Sequence, residues 1–136
     1  MDDVTVTVTG RQIDLDPTPV VVVARGKYRL ENDIYYVEYT ETETESGNII
    51  INKIVANMNK VIINRSGAIN SILQFETQRK NAVEYETQYG VLSMDIITKD
   101  INISVVGNQI NIVVDYYFEM NGEHVSRNSL SIEINQ

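Results

Sequence analysis

The sequence predicts an all-β protein, a closed antiparallel up-and-down β-barrel of eight to ten strands, and three observations carry that expectation. Ile, Val and Thr together supply 45 of the 136 residues, whereas Leu and Ala supply 9, a balance that favours pleated over helical backbone. Turn-forming residues recur at spacings of about ten, the rhythm of short strands joined by hairpins. Between them, apolar and polar residues alternate with the period of two that splits a strand into a packed and a wetted face.

Taken in order, Val4, Val6 and Val8 oppose Thr5, Thr7 and Thr9. Asp16-Pro17-Thr18-Pro19 forces an extended connection, because proline fixes its own φ and biases the residue before it away from the helical region. If Asn32 and Asp33 form a turn, Lys27 falls opposite Glu38 and Arg29 opposite Tyr36, with Arg25, Lys27 and Arg29 on the outer face. The next segment puts Tyr35, Val37 and Tyr39 inward, and the same parity runs into Glu41, Glu43 and Glu45. Three carboxylates cannot be buried unpaired, so either a bulge near Thr40 resets the parity or the strand passes the rim into water; its length favours the second. Those glutamates then read as a solvated face that discourages edge pairing. Residues 49–58 are ambiguous: Ile50, Ile51, Ile54, Val55 and Met58 also fit a helical stripe, although β-branching favours a strand.

Further breaks fall at Ser46-Gly47-Asn48, Met58-Asn59, Ser66-Gly67, Gln78 to Asn81, Tyr89-Gly90 and Lys99-Asp100. Between these, Val83, Tyr85 and Thr87 face in against Glu84 and Glu86, and Leu92, Met94, Ile96 and Thr98 alternate with Ser93, Asp95 and Lys99. Gly107-Asn108 suits a type II′ hairpin and Asn121-Gly122 a type I′, turns that need positive φ where Gly and Asn carry little penalty. They bracket Ile110, Ile112, Val114, Tyr116 and Phe118, inward opposite Asn111, Asp115 and Glu119.

A chain of 136 residues suits one domain, residues 1–136, with one hydrophobic core. The net charge of −8 repels phosphate backbones and anionic lipid, so neither nucleic acid nor membrane is an expected partner. No cysteine is present, which removes disulfides, thiolate nucleophiles and cysteine metal sites. The start, Met1-Asp2-Asp3-Val4, has no basic and apolar leader, so the expected location is cytoplasmic unless the chain is a trimmed mature form.

The string Val61-Ile62-Ile63-Asn64-Arg65-Ser66-Gly67-Ala68-Ile69, then Leu73-Gln74-Phe75, then Tyr85 to Leu92 with its Tyr89-Gly90-Val91-Leu92 block, then Thr98, resembles the YwiB-like family of small bacterial proteins. Gly26-Lys27-Tyr28 and the Tyr35 to Tyr39 strand resemble that family's front half. The resemblance implies a closed antiparallel barrel of the calycin type, similar in shape to lipocalins and fatty-acid-binding proteins. It implies no activity, and the chain has no tryptophan with which to form the lipocalin Gly-x-Trp motif.

Arg65 is the principal candidate, because it shares strand parity with Val61 and Ile63 and its guanidinium then points inward, where a cation needs a partner. It either anchors the acidic group of a ligand, with hydroxyls from Tyr85, Thr87, Thr98 and Tyr116, or caps one barrel end by donating to carbonyls or a carboxylate. Tyr28, Tyr35, Tyr39, Tyr85 and Tyr116 read as core or as ligand wall. His124, the single histidine, has no nucleophile elbow and no second histidine for zinc beside it, so it reads as a solvated loop residue and the chain as no enzyme. No cofactor or metal is implied. The expected function is binding of a small apolar or anionic molecule inside the barrel; the alternative is a structural or interaction module, a homodimer with a solidly packed interior.

Overall fold

The computed structural model describes residues 1–43, 45–87 and 90–136, with the side chains of Pro17, Tyr85 and Thr87 left out. Ten strands follow one another: β1 (Asp2–Gln12), β2 (Asp16–Glu31), β3 (Ile34–Thr42), β4 (Ile49–Ala56), β5 (Lys60–Gly67), β6 (Ser71–Glu76), β7 (Lys80–Thr87), β8 (Gly90–Val106), β9 (Gln109–Met120) and β10 (Glu123–Asn135). They form one sheet in the order β6-β5-β4-β3-β2-β1-β10-β9-β8-β7, antiparallel throughout, so each strand pairs with its sequence neighbours and β1 with β10. The two ends of that order, β6 and β7, meet at the turn between them, which makes a nearly closed up-and-down barrel.

Turn chemistry sets the hairpins as the sequence predicts. Asn32 and Asp33 both have positive φ, as do Asn121 and Gly122, which is type I′ geometry, and Gly107 alone is positive in the next hairpin, as type II′ requires. Lys27 lies opposite Glu38 and Arg29 opposite Tyr36. The ambiguous segment is strand β4, whose strict alternation buries Ile50, Asn52, Ile54 and Ala56.

Three sequence expectations are corrected. The Asp16 to Pro19 stretch is the start of β2 and not a connection; the chain turns earlier, at residues 13–15, because β2 keeps β3 on its outer side only from Gly26 onward and prolines on an unpaired edge forfeit no ladder bond. Lys99-Asp100 is a β-bulge inside the 17-residue β8, and the extra residue moves the inward set from Ile96 and Thr98 to Ile101 and Ile103. Leu92, expected inward, is 49% exposed near the end of the β7–β8 hairpin. The inward assignments of Tyr85 and Thr87, and the Tyr89 turn, lie outside the described residues.

The core fills one end of the barrel. Val4, Val6, Val37, Ile54, Val61, Ile112, Val114, Ile132 and Ile134 are sealed from water and form one cluster with Phe75 and Ile96. Towards the other end the inward positions turn polar: Asn52, Ser71, Thr98, Ser126 and Asn128. Gly26 marks where the wall splits. It is the last β2 residue paired with β3, opposite Tyr39, and a Cβ there would stand 2.6 Å from the Glu38 carbonyl and 2.9 Å from Val6 Cγ2.

Gly26→Ala is expected to destabilise the barrel by about 1–3 kcal/mol through this overpacking. Gly10→Ala, where a Cβ meets nothing within 4 Å, is expected to leave stability nearly unchanged. Urea denaturation of both variants checks the contrast.

Candidate functional site at the barrel mouth

Register brings Tyr39, Asn52, Arg65 and Ser71 into one row across β3, β4, β5 and β6. Glu41 lies two residues beyond Tyr39 on the same inward face. In that row Arg65 Nε donates to Asn52 Oδ1 at 3.1 Å, Arg65 Nη2 to Glu41 Oε1 at 3.4 Å, and Asn52 Nδ2 to Glu41 Oε1 at 3.0 Å. Cation, carboxylate and amide thus close a triangle with no net charge. Asn52 is 1% exposed and has both ends of its amide engaged, while the Arg65 and Glu41 side chains retain 23% and 22% exposure. The neighbouring Tyr39 phenol is pushed well above its ordinary pKa, first by burial and then by the Glu41 charge, with Arg65 opposing, so it stays a neutral donor.

The triangle forms one wall of a cavity of about 220 Å³. The rest is apolar: Val8, Val22, Ile63, Leu73, Leu130 and the ring of Tyr116. A second hollow of about 330 Å³ shares Gly10, Val20 and Tyr116 with it and reaches Asn128. That amide is held by Ser126, whose Oγ accepts from Asn128 Nδ2 at 2.9 Å. Tyr116 is fixed between Phe75 and Phe118, edge to face, with ring centroids 4.8 and 5.3 Å away. A further cleft at Arg65 is lined also by Ser71 and Val83, and the buried Ser71 Oγ has no hydrogen-bond partner among the described residues.

Of the residues singled out from the sequence, Arg65 and Tyr116 come together on one cavity. Thr98 stands opposite Tyr116 in the β8–β9 ladder; it is sealed from water and its Oγ1 has no partner among the described residues. The side chains of Tyr85 and Thr87 lie outside the described residues. Glu41 corrects the sequence reading, since it is not part of a solvated face. Asn52 was not singled out at all. Inward parity marked both residues, but only the β3–β4 and β4–β5 registers place them against Arg65, whose charge removes the objection to a buried carboxylate. Tyr28 and Tyr39 are core, each 6% exposed.

His124 lies outside this cavity. Its Nε2 is 2.6 Å from Asp14 Oδ2, and Asp14 Oδ1 accepts the Arg127 backbone N–H at 2.9 Å, which pins the β1–β2 turn to β10. The Arg127 N–H first, and His124 second, hold the Asp14 carboxyl below its usual range. No group of three or more metal-ligating side chains occurs among the described residues, and no helix there is long and apolar enough to cross a membrane.

Ten antiparallel strands in up-and-down order, packed at one end and carrying a half-buried ion pair at the other, define a nearly closed β-barrel with an open hollow at its mouth. The chain belongs to the family described as Domain of unknown function (DUF1934), which matches residues 5–132. Its fold is similar to the crystal structure of the ywiB protein from Bacillus subtilis: the TM-score is 0.77 at 18% identity, covering 98% of this chain and 89% of that one. No curated protein matches the chain.

Replacing Glu41 alone by Leu strands a half-buried guanidinium and is expected to cost about 1–3 kcal/mol. The double variant Glu41→Leu/Arg65→Met is expected to be the more stable of the two, as read from urea midpoints. Because the folded-state pKa of Asp14 is depressed, its contribution is present above the unfolded value and is lost as pH falls through the folded one. The melting-temperature difference between wild type and Asp14→Asn should therefore shrink as pH falls below about 4.

Proposed function

We propose that the protein binds a small, largely apolar molecule in the barrel mouth, its body against Val8, Val22, Leu73 and Leu130 and its polar head on the Arg65–Glu41–Asn52 triangle. The observation that carries this reading is an apolar hollow ending in convergent donors and acceptors, the usual composition of a small-molecule site. Glu41 already balances Arg65, so the site favours an uncharged head that both donates and accepts, such as a primary amide, over the carboxylate that Arg65 alone would select. At about 220 Å³ the hollow is smaller than the roughly 300–1,000 Å³ of drug-sized sites, which favours a short ligand.

On this reading the protein is a binder and not a catalyst. His124 is committed to Asp14 on the outside, and among the described residues the mouth offers hydrogen bonds without a nucleophile–base pair. A cytoplasmic setting accords with the absence of cysteine.

Native mass spectrometry of freshly purified protein is expected to show a co-purified mass above the bare chain, and hexanamide is expected to raise the melting temperature. Leu130→Trp, which fills the hollow, should abolish both signals, and Arg65→Met should weaken them while the barrel stays folded. A bare chain mass together with no response to hexanamide would overturn the proposal.

A further inference from the structure

The two longest strands outrun a neighbour. β8 (17 residues) continues to Val106 beyond its pairing with β7; outward Asp100, Asn102 and Ser104 are polar, and the stretch ends in Val105 and Val106, 57% and 70% exposed. The polar residues blunt most of that free edge against chance pairing. β2 (16 residues) has β3 beside it only from Gly26 to Glu31, so Asp16 and residues 20–25 pair with β1 on one side and with no described strand on the other, while residues 17–19 lie in a register shift. This edge is not blunted in the same way. Residues 20–23 are four consecutive valines, of which Val20, Val21 and Val23 are 71%, 53% and 64% exposed.

The phase of the free backbone follows from the turn. In a two-residue type I′ hairpin the flanking residues, here Glu31 and Ile34, exchange both hydrogen bonds, so odd-numbered residues of β2 aim their N–H and C=O away from β1. Pro17 and Pro19 lie between Val20 and Asp16, where β1 and β2 shift register and these residues have no β1 partner, so a missing N–H forfeits no ladder bond. Val21, Val23 and Arg25 fall on the odd set and present complete donor–acceptor pairs to solvent.

We propose that this edge is an interface between two copies of the chain, joined by antiparallel pairing of β2 with β2 about a twofold axis at Val22. In that register Val21 exchanges both backbone hydrogen bonds with Val23 of the second copy, and Arg25 donates to the Pro19 carbonyl. Charge selects the antiparallel sense. The free segment is acidic at one end, Asp16, and basic at the other, Arg25, with nothing charged between; Lys27, just beyond it, is paired with Asp3. Antiparallel pairing lays the acidic end of each copy along the basic end of the other, whereas parallel pairing would set like charges together. Pairing about a twofold also uses each edge once, so the assembly stops at two and does not grow into a fibre.

Sedimentation equilibrium over about 5–500 µM, where mass action would reveal a reversible dimer, is the test. Wild type is expected to move from monomer to dimer across that range, and amide exchange at Val21, Val23 and Arg25 is expected to slow as concentration rises. Val21→Lys/Val23→Lys changes only exposed side chains and should weaken the dimer at least tenfold. Val23→Pro should do the same with the monomer still folded, because the N–H it removes faces solvent. Val106→Lys, an exposed valine elsewhere, should leave the dimer intact. A wild type that stays monomeric throughout, or a dimer that survives both the lysine pair and Val23→Pro, would overturn the proposal.

Discussion

Hairpin-linked strands close a barrel wall only where each finds a partner along its length, and here β2 is sixteen residues long beside a nine-residue β3. Their ladder stops at Gly26 opposite Tyr39. Beyond that point β3 continues against β4 alone and β2 against β1 alone, so the wall parts. The packed cluster of Val, Ile and Phe occupies one end, while the inward set of the other end mixes apolar residues with buried Asn52, Ser71, Thr98, Ser126 and Asn128 and with Arg65 and Glu41, whose side chains keep 23% and 22% exposure. Groups that keep some contact with water can retain charge there at a cost that the deep interior would not allow.

The Arg65–Glu41–Asn52 triangle follows from that placement. An arginine and a glutamate on the inward parity of a sealed barrel would each carry a heavy desolvation penalty. At the open end, each remains partly hydrated and each meets the other, with Asn52 filling the remaining donor and acceptor positions. The same contacts that make the arrangement stable leave it neutral, and neutrality alters the recognition chemistry. A lone guanidinium selects an anion, whereas a balanced pair offers donors and acceptors side by side. The Tyr39 phenol, kept neutral by burial and by Glu41, adds to that uncharged character.

The split acts on the outside as well. Strands that lack a neighbour expose backbone hydrogen-bonding groups, and what happens next depends on the side chains around them. On β8 the free stretch is polar outward from Asp100 to Ser104 before it ends in exposed Val105 and Val106; on β2 it is centred on four valines. Membership of the DUF1934 family and the likeness to the ywiB fold concern the barrel as a whole.

Much of the fold was legible because its signals are local. β-branched composition, period-two alternation and the Asn32-Asp33, Gly107-Asn108 and Asn121-Gly122 turns each act within a few residues, and together they determine strand content, hairpin order and the faces of most strands. Arg65 could be placed inward by the same parity. Whatever depended on contacts between distant strands was not legible. A bulge at Lys99 is invisible until β8 is laid against β9, since one extra residue costs little locally but reverses every side chain after it. Glu41 read as solvated because a buried carboxylate needs a cation, and its cation is 24 positions away in sequence, brought close only when two registers are set. Sequence alone therefore determined which residues alternate on most strands and most of the places where the chain reverses. The tertiary structure alone decided how long each ladder runs, and so where the wall opens, because ladder length depends on the meeting of two strands and neither strand's own residues specify it.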